Sequence, residues 1–539
     1  MTTPTNAQLY TMIQTLQAKD TTIEASITAQ VADAGEGYLK VGDANSFYLM
    51  VCGVFVFFMQ AGFALLEAGS VRAKNTKNIL MKNLLDACLG AVIWWSWGYA
   101  LAVRYLLACW LHALSPPHAS RQPFRACYEH LLRIISPSPT ASATTHPPPP
   151  HSQYDGPKNG ETGYSGFIGN AAKQSDGLTG PSFFTMDYNN LQDDGAAYAS
   201  WWFQFVFCAA AATIVSGAMA ERTTLTGYII YTFVISGFIY PVVVAWTWGG
   251  GWTNTFNQET EGQSSFVDFA GSGIVHMTGG IAALCGAAIV GPRKGRFDDN
   301  KAPIAIPAHN TTFQVLGTLI LWVGWYGFNP GSTLGIAGYG LGMARCIVTT
   351  TLSAATGGII TVVVDKMLIS HTWDVGQLCN GILAGLVSIT AGTGDVYPWA
   401  AMIIGLLGAF VYLGASKTVL YLCKVDDPLD AFAVHGACGA WGVIALGLFA
   451  KDNLSGGLCG SNKGLFYGKG YLLGNALLFI FANCAWTGTL SLAMFMPLRM
   501  AGLLRVSATV EDSGMDVSKH GGSAYYGTDG APTMSTTAS

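Results

Sequence analysis

Residues 268–291, DFAGSGIVHMTGGIAALCGAAIVG, place one imidazole inside a run apolar enough to live in lipid. Asp268 opens the stretch, His276 stands eight positions on, and Met277 to Val290 is almost entirely Gly, Ala, Ile and Leu. A membrane span needs roughly 20 consecutive apolar residues, and this run is that long. The rest of the chain repeats the pattern. Of 539 residues 51% are apolar and 11% are charged, where soluble domains carry about 25% charged residues. The 66 glycines suit helices whose backbones approach closely in lipid. The composition therefore predicts an all-α polytopic membrane protein. A net charge of −4 without a basic stripe excludes a nucleic-acid partner. The twelve cysteines are scattered through apolar runs without zinc spacing and read as free thiols. The polar, acidic first 45 residues have no basic start or short apolar run, so they read as a solvated exterior tail rather than a signal peptide.

Eleven candidate spans follow, at about 46–68, 83–102, 198–220, 224–246, 271–291, 311–330, 343–364, 375–392, 397–415, 430–450 and 471–498. Lys and Arg set the orientation. Arg72, Lys74, Lys77 and Lys82 follow span one, and Arg293, Lys294, Arg296 and Lys301 follow span five. The loop between spans four and five has no Lys or Arg. The N-terminus is thus expected outside and the C-terminus in the cytosol. Lys451, Lys463 and Lys469, in the last exterior loop, run against the rule.

The two halves echo each other. Span five begins VDFAGSGIVHMTGG and span ten PLDAFAVHGACGA, each with an Asp at the mouth of a helix and a His within its first two turns. An Asp there caps free N–H groups and meets the positive end of the helix dipole. Five spans is an odd number, so the second copy is inverted, and inverted repeats place a site at the midplane between halves. His276 and His435 are expected to meet there. Aromatic residues cluster in WWFQFVF (201–207), AWTWGGGW (245–252) and LWVGWYGFNPGS (321–332). Aromatic belts are common at membrane interfaces, yet Trp248, ahead of three glycines, would offer an indole face to cations in an exterior vestibule.

Six motifs in order now carry a resemblance: FFMQAGFALLEAGSVRAKNTKN (57–78), SGAMAER (216–222), DFAGSGIVHMTGG (268–280), LWVGWYGFNPGS (321–332), DDPLDAFAVHGACGAWG (426–442) and GMDVSKHGG (514–522). Over about 46–102 and 160–522 the sequence resembles the Amt/Rh ammonium transporters, and among them the plant and green-algal type. The resemblance implies eleven helices with an inverted five-plus-five repeat, a homotrimer or a hetero-trimer with relatives, and one narrow pore per subunit. It assigns the outer ammonium site to Trp248, Phe207 and Ser332, the phenyl gate to Phe207 and Phe328, and the pore pair to His276 and His435. Asp268 becomes the acid behind the outer site, and Gln204 and Trp325 line the vestibule or pore.

On this reading the outer cup offsets part of the cost of bringing a cation toward the bilayer centre. Beyond the gate an apolar lumen favours neutral ammonia and rejects potassium, and the histidines offer one donor and one acceptor. Net charge moves with ammonium, as in plant-type relatives. The substrate is ammonium or ammonia, the partner is membrane lipid, the location is the plasma membrane, and neither a cofactor nor an enzyme activity is expected. Three rivals stand beside it. An intramembrane metalloenzyme lacks HExxH or a carboxylate next to either His. An ammonium sensor would carry a cytosolic signalling domain, whereas about 40 residues follow span eleven. A Rh-like channel for neutral ammonia is disfavoured by Trp248.

Two segments stand apart. Residues 103–153 hold nine of the 21 prolines and five of the ten histidines. They read as a disordered exterior insertion, or as a retained intron whose removal would join 102 to 154 in frame. Residues 499–539 read as a cytosolic regulatory tail. The resemblance places Ser518 where plant relatives carry a Thr that a kinase phosphorylates to close the trimer.

Overall fold

The structure, a computed structural model, describes residues 41–103, 195–249, 251–254 and 266–525. Most of the expected N-terminal tail and nearly all of the 103–153 segment lie outside these residues. The described residues form helices without a β-sheet: α1 (Val41–Ser70), α2 (Thr76–Ile93, extended to Val103), α3 (Gly195–Ala218), α4 (Leu225–Trp246), α5 (Ser272–Val290), α6 (Thr311–Gly331), α7 (Gly340–Ile369), α8 (Val375–Thr390), α9 (Pro398–Leu422), α10 (Phe432–Phe449) and α11 (Tyr471–Met500), then two short tail helices, α12 (Ala508–Ser513) and α13 (Met515–Lys519).

Nine helices among the described residues are long and apolar enough to cross a membrane. Two expected spans fall outside that set. Helix α8 has 16 residues, and α6, with 21, carries Gln314, Thr318, Asn329 and several Gly residues on its buried face. Helix α8 is apolar but short, whereas the polar groups that α6 turns to the interior lower its hydropathy. Helix α1 already runs at Val41, the first described residue.

Six helices contain a widened π-type turn: Trp94–Gly98 in α2, Ile235–Ile239 in α4, Ser272–Met277 opening α5, Asp365–Ile369 ending α7, Thr418–Leu422 ending α9 and Phe432–Ala437 opening α10. Counted by halves, they occur in the second, fourth and fifth helix of each. The internal repeat is therefore written in the backbone as well as in the Asp and His spacing.

Small residues let the helices close, since lipid gives helices little hydrophobic drive to associate. Where α5 crosses α10, a Cβ on Gly280 would lie 2.1 Å from the Gly436 backbone nitrogen. Only glycine fits there, and this crossing joins the two halves next to both histidines.

Loops after odd-numbered helices gather on one face. Arg72 pairs with Glu221, Arg293 with Glu221 at 2.8 Å and with Asp426 at 2.9 Å, and Arg296 with Asp426 at 3.1 Å. Glu221 has φ +71°, a strained value for a non-glycine residue, held by Arg72, Asn75 and Arg293. Burial opposes charge on Asp426, yet the arginines hold its carboxyl well below the usual carboxylate range. The tail docks on the same face. Asp516 accepts the Lys77 and Asn78 N–H groups, each at 3.0 Å, while Met515 N donates to Asn75 and Lys294 N to Glu511. The ten cysteines among the described residues are free.

Candidate functional site

Aromatic and imidazole rings run in file through the interior. Trp248 meets Phe207 edge-on at 5.9 Å between ring centroids, and Phe207 stacks on Phe328 at 4.0 Å. The His276 ring lies 5.4 Å from Phe328 and 5.2 Å from Trp325, stacked on both. His435 follows at 5.3 Å, and Phe63 stands 6.1 Å beyond it. Every member of the file is buried. These rings come from α1, α3, α5, α6, α10 and the loop after α4, so helices from both halves build it.

Asp268 sets the start of α5. Its two oxygens accept four backbone N–H groups, from Gly271, Ser272, Gly273 and Ile274, at 2.8–2.9 Å. Its own carbonyl accepts the Trp248 indole N–H at 2.9 Å. One residue thereby caps the helix and aims the outermost ring. The π-type turn that follows leaves the Gly273 carbonyl free for Asn483 Nδ2, at 3.1 Å. The turn carries His276 on its fifth residue, and the matching turn of α10 carries His435 on its fourth. The two Nδ1 atoms lie 3.2 Å apart. A hydrogen bond between them needs one nitrogen protonated and the other bare. His276 Nε2 is buried without a partner among the described residues.

The structure corrects the sequence echo at one point. Asp430, expected at the mouth of span ten, does not cap it but accepts from Tyr412 and Ser416. Asp427 caps the turn through the Phe432 N–H at 2.8 Å. It stands eight residues before His435, as Asp268 stands eight before His276. That equal spacing was legible in the sequence; proximity to the helix mouth favoured the wrong acid. Burial pushes both carboxyls up, each to about 6, against the pull of the N–H groups they accept.

Ser332 ends α6 buried, and its hydroxyl donates to the Phe328 carbonyl at 2.9 Å. Trp325 donates its indole N–H to Thr390 Oγ1 at 2.9 Å, so α8 fixes the ring against His276. Gln204 is buried on α3, one turn before Phe207. Ser518 lies on the tail, far from the file in sequence, in the short helix that docks where the odd-numbered loops meet. Phe63 and Thr390 join the site without having been expected; Phe63 sits within the motif 57–78, but nothing in its spacing points it at a histidine.

The chain matches the family model described as Ammonium Transporter Family over residues 47–109 and 158–525. It is 36% identical over 524 residues to ammonium transporter 1 member 3 of Solanum lycopersicum, covering 94% of this chain and 95% of that protein. Against ammonium transporter 1 member 1 of Arabidopsis thaliana the identity is 38% over 480 residues, covering 86% and 81%. Among solved structures, one titled Sensor Amt Protein aligns with TM-score 0.67 and 27% identity over 89% of this chain and 98% of that one. Mep2 of Saccharomyces cerevisiae aligns with TM-score 0.65 and 25% identity over 86% and 88%.

Proposed function

This chain belongs to the ammonium transporter family, and we propose from that premise that it moves ammonium across a membrane with net charge. One observation supports the reading most: a buried file of rings runs from Trp248 through the Phe207–Phe328 stack to the His276–His435 pair. Bringing a bare cation to the bilayer centre is costly. The Trp248 and Phe207 faces and the Ser332 hydroxyl meet the cation at the outer end. Past the stacked phenyls, ammonia travels neutral along Trp325 and the paired imidazoles, where unpartnered His276 Nε2 offers it a hydrogen bond. Asp268 acts indirectly, through the helix cap and the aim of Trp248, and Gln204 lines the vestibule or pore. A current that follows ammonium but not potassium, recorded from liposomes holding the purified protein, would bear this out. Alkalinisation of the lumen without current would replace it with neutral ammonia conduction, and binding without flux with a sensor.

The eleven-span count, the exterior N-terminus, the cytosolic tail, a homotrimer or hetero-trimer with relatives, and the plasma membrane belong to the same reading. The meeting of odd-numbered loops on one basic face supports the orientation. Exposed Val54, Phe55 and Phe58 along α1 suit contact with lipid or with a second subunit. For 103–153 we keep the reading of a retained intron or exterior insertion; the family match omits 110–157, which suits both.

The tail at 499–539 is read as a regulator and Ser518 as its kinase target. Ser518 is exposed, donates to the Gly514 carbonyl and shares a hydrogen bond with Ser513, each at 2.7 Å. Phosphate there adds nearly two negative charges beside Asp516, whose carboxylate holds the tail on α2. Ser518→Asp should lower flux roughly tenfold or more, as like charges at a packed interface cost on the order of 1–2 kcal/mol, and Ser518→Ala should not. Equal ammonium uptake by the two variants would remove the kinase reading.

A further inference from the structure

A carboxylate without a salt bridge among the described residues stands at the inner end of the ring file. Glu67 lies one turn before the end of α1 and is 2% exposed. Its Oε2 accepts from Asn83 at 3.0 Å and from Ser216 at 2.8 Å. Among the described residues nothing donates to its Oε1, and neither Lys nor Arg forms a salt bridge with it. The nearby Lys82 spends its ammonium group on the Thr223 carbonyl at 2.9 Å instead.

Glu67 also lines a cleft that opens directly past the histidine pair, together with Phe63, Ile214, Asn380, Leu429 and His435. It is the one acidic side chain among the described residues lining that cleft. Asn380 gives its amide N–H to the Tyr412 hydroxyl at 3.1 Å, and nothing among the described residues donates to its carbonyl oxygen. The cleft therefore offers hydrogen-bond acceptors on a charged and a neutral group, beside an aromatic ring. A buried carboxylate is costly unless something neutralises it. Lys82 is buried near enough for its charge to act on Glu67 but bonds the Thr223 carbonyl, so no salt bridge closes on the carboxylate, and Glu67 lines the cleft.

We propose that Glu67 and this cleft form an inner binding site for a small monovalent cation that donates hydrogen bonds, ammonium or methylammonium, taken up where the path leaves His435. The choice of cation rests on the transport reading; the site rests on the unpaired carboxylate and its cleft. Ammonium can give one N–H to Oε1 and one to the Asn380 carbonyl, whereas potassium sheds its water only where a full ring of oxygens replaces it.

The test is infrared difference spectroscopy on the full-length protein in lipid, perfused with ammonium chloride against potassium chloride. The wild type should show a reversible change in a carboxylate stretch, and Glu67→Gln should lose it. Glu67→Asp withdraws the carboxylate by one methylene. It should keep a band at a displaced frequency, with half-saturation raised about tenfold, the cost of weakening a charged hydrogen bond. A band that persists in Glu67→Gln, or is absent from the wild type, overturns the site. If Glu67→Gln does not fold, an undisplaced band in Glu67→Asp with unchanged half-saturation overturns it too. The liposome current separates the two readings: a band without current removes transport and leaves the site, whereas current without a band removes the site alone.

Discussion

Selective ammonium flux should fall by roughly a hundredfold or more when His276 and His435 are both replaced with Ala, since losing paired hydrogen-bonding groups on the path of a polar solute costs about 3 kcal/mol. The two imidazoles stack at 5.3 Å and share a hydrogen bond at the crossing of α5 and α10. Neither is held by a charged partner, so their removal leaves an apolar gap rather than an orphaned ion. The variant should therefore assemble: the Gly280–Gly436 contact that joins the halves is made by backbone and stays in place. The measurement is ammonium-evoked current alongside potassium permeability and the gel-filtration profile. A double variant that still carries ammonium and still excludes potassium would take the pore away from these residues.

Replacing Asp268 with Ala should be the most damaging single change for the fold. Four buried N–H groups would lose their acceptor at once, and each orphaned donor costs on the order of 1–3 kcal/mol. Asp268→Asn is milder, because its one carbonyl oxygen still accepts N–H groups and its backbone carbonyl still takes the Trp248 indole. The Ala variant is expected to lose assembled protein on gel filtration. The Asn variant should assemble, unfold at lower temperature and transport roughly tenfold less, about the effect of one uncapped donor disturbing the aim of Trp248. Wild-type melting temperature and flux in Asp268→Ala would show that the cap is dispensable.

Much of this was readable from the chain alone, for reasons that are local. A run such as Met277 to Val290 has few alternatives to a membrane helix. The eight-residue step from Asp268 to His276 marks a capped helix, and the six motifs name a family. What escaped reading depends on contacts between helices distant in sequence. Thr390 gains its place by accepting from Trp325, and Asn483 by taking the Gly273 carbonyl. Asp427 lost to Asp430 because both acids precede α10 and the nearer was favoured; the equal eight-residue step pointed to Asp427, and the Phe432 N–H confirms it. Phe63 and Glu67 share α1 with a continuous apolar surface, so nothing in the helical period singles out the face turned toward His435. In the sequence α6 and α8 read as spans like the rest; α8 falls short by length, and α6 turns Gln314 and Asn329 inward.

The widened turns carry a consequence for how such helices must be aligned and engineered. An α-helix advances about 100° per residue, and a π-type turn inserts one residue into that count. Each therefore acts as a phase slip: the stripe that faces inward before the turn is rotated out of register after it. In α5 and α10 the slip falls at the first turn, so each histidine is set by a different phase from the helix it heads. Deleting a single residue from Ser272–Met277 would swing His276 about a quarter turn away from the file while leaving the length of the span almost unchanged. The site is thus keyed by a vernier of counted residues, more sensitive to a lost codon than to most exchanged ones.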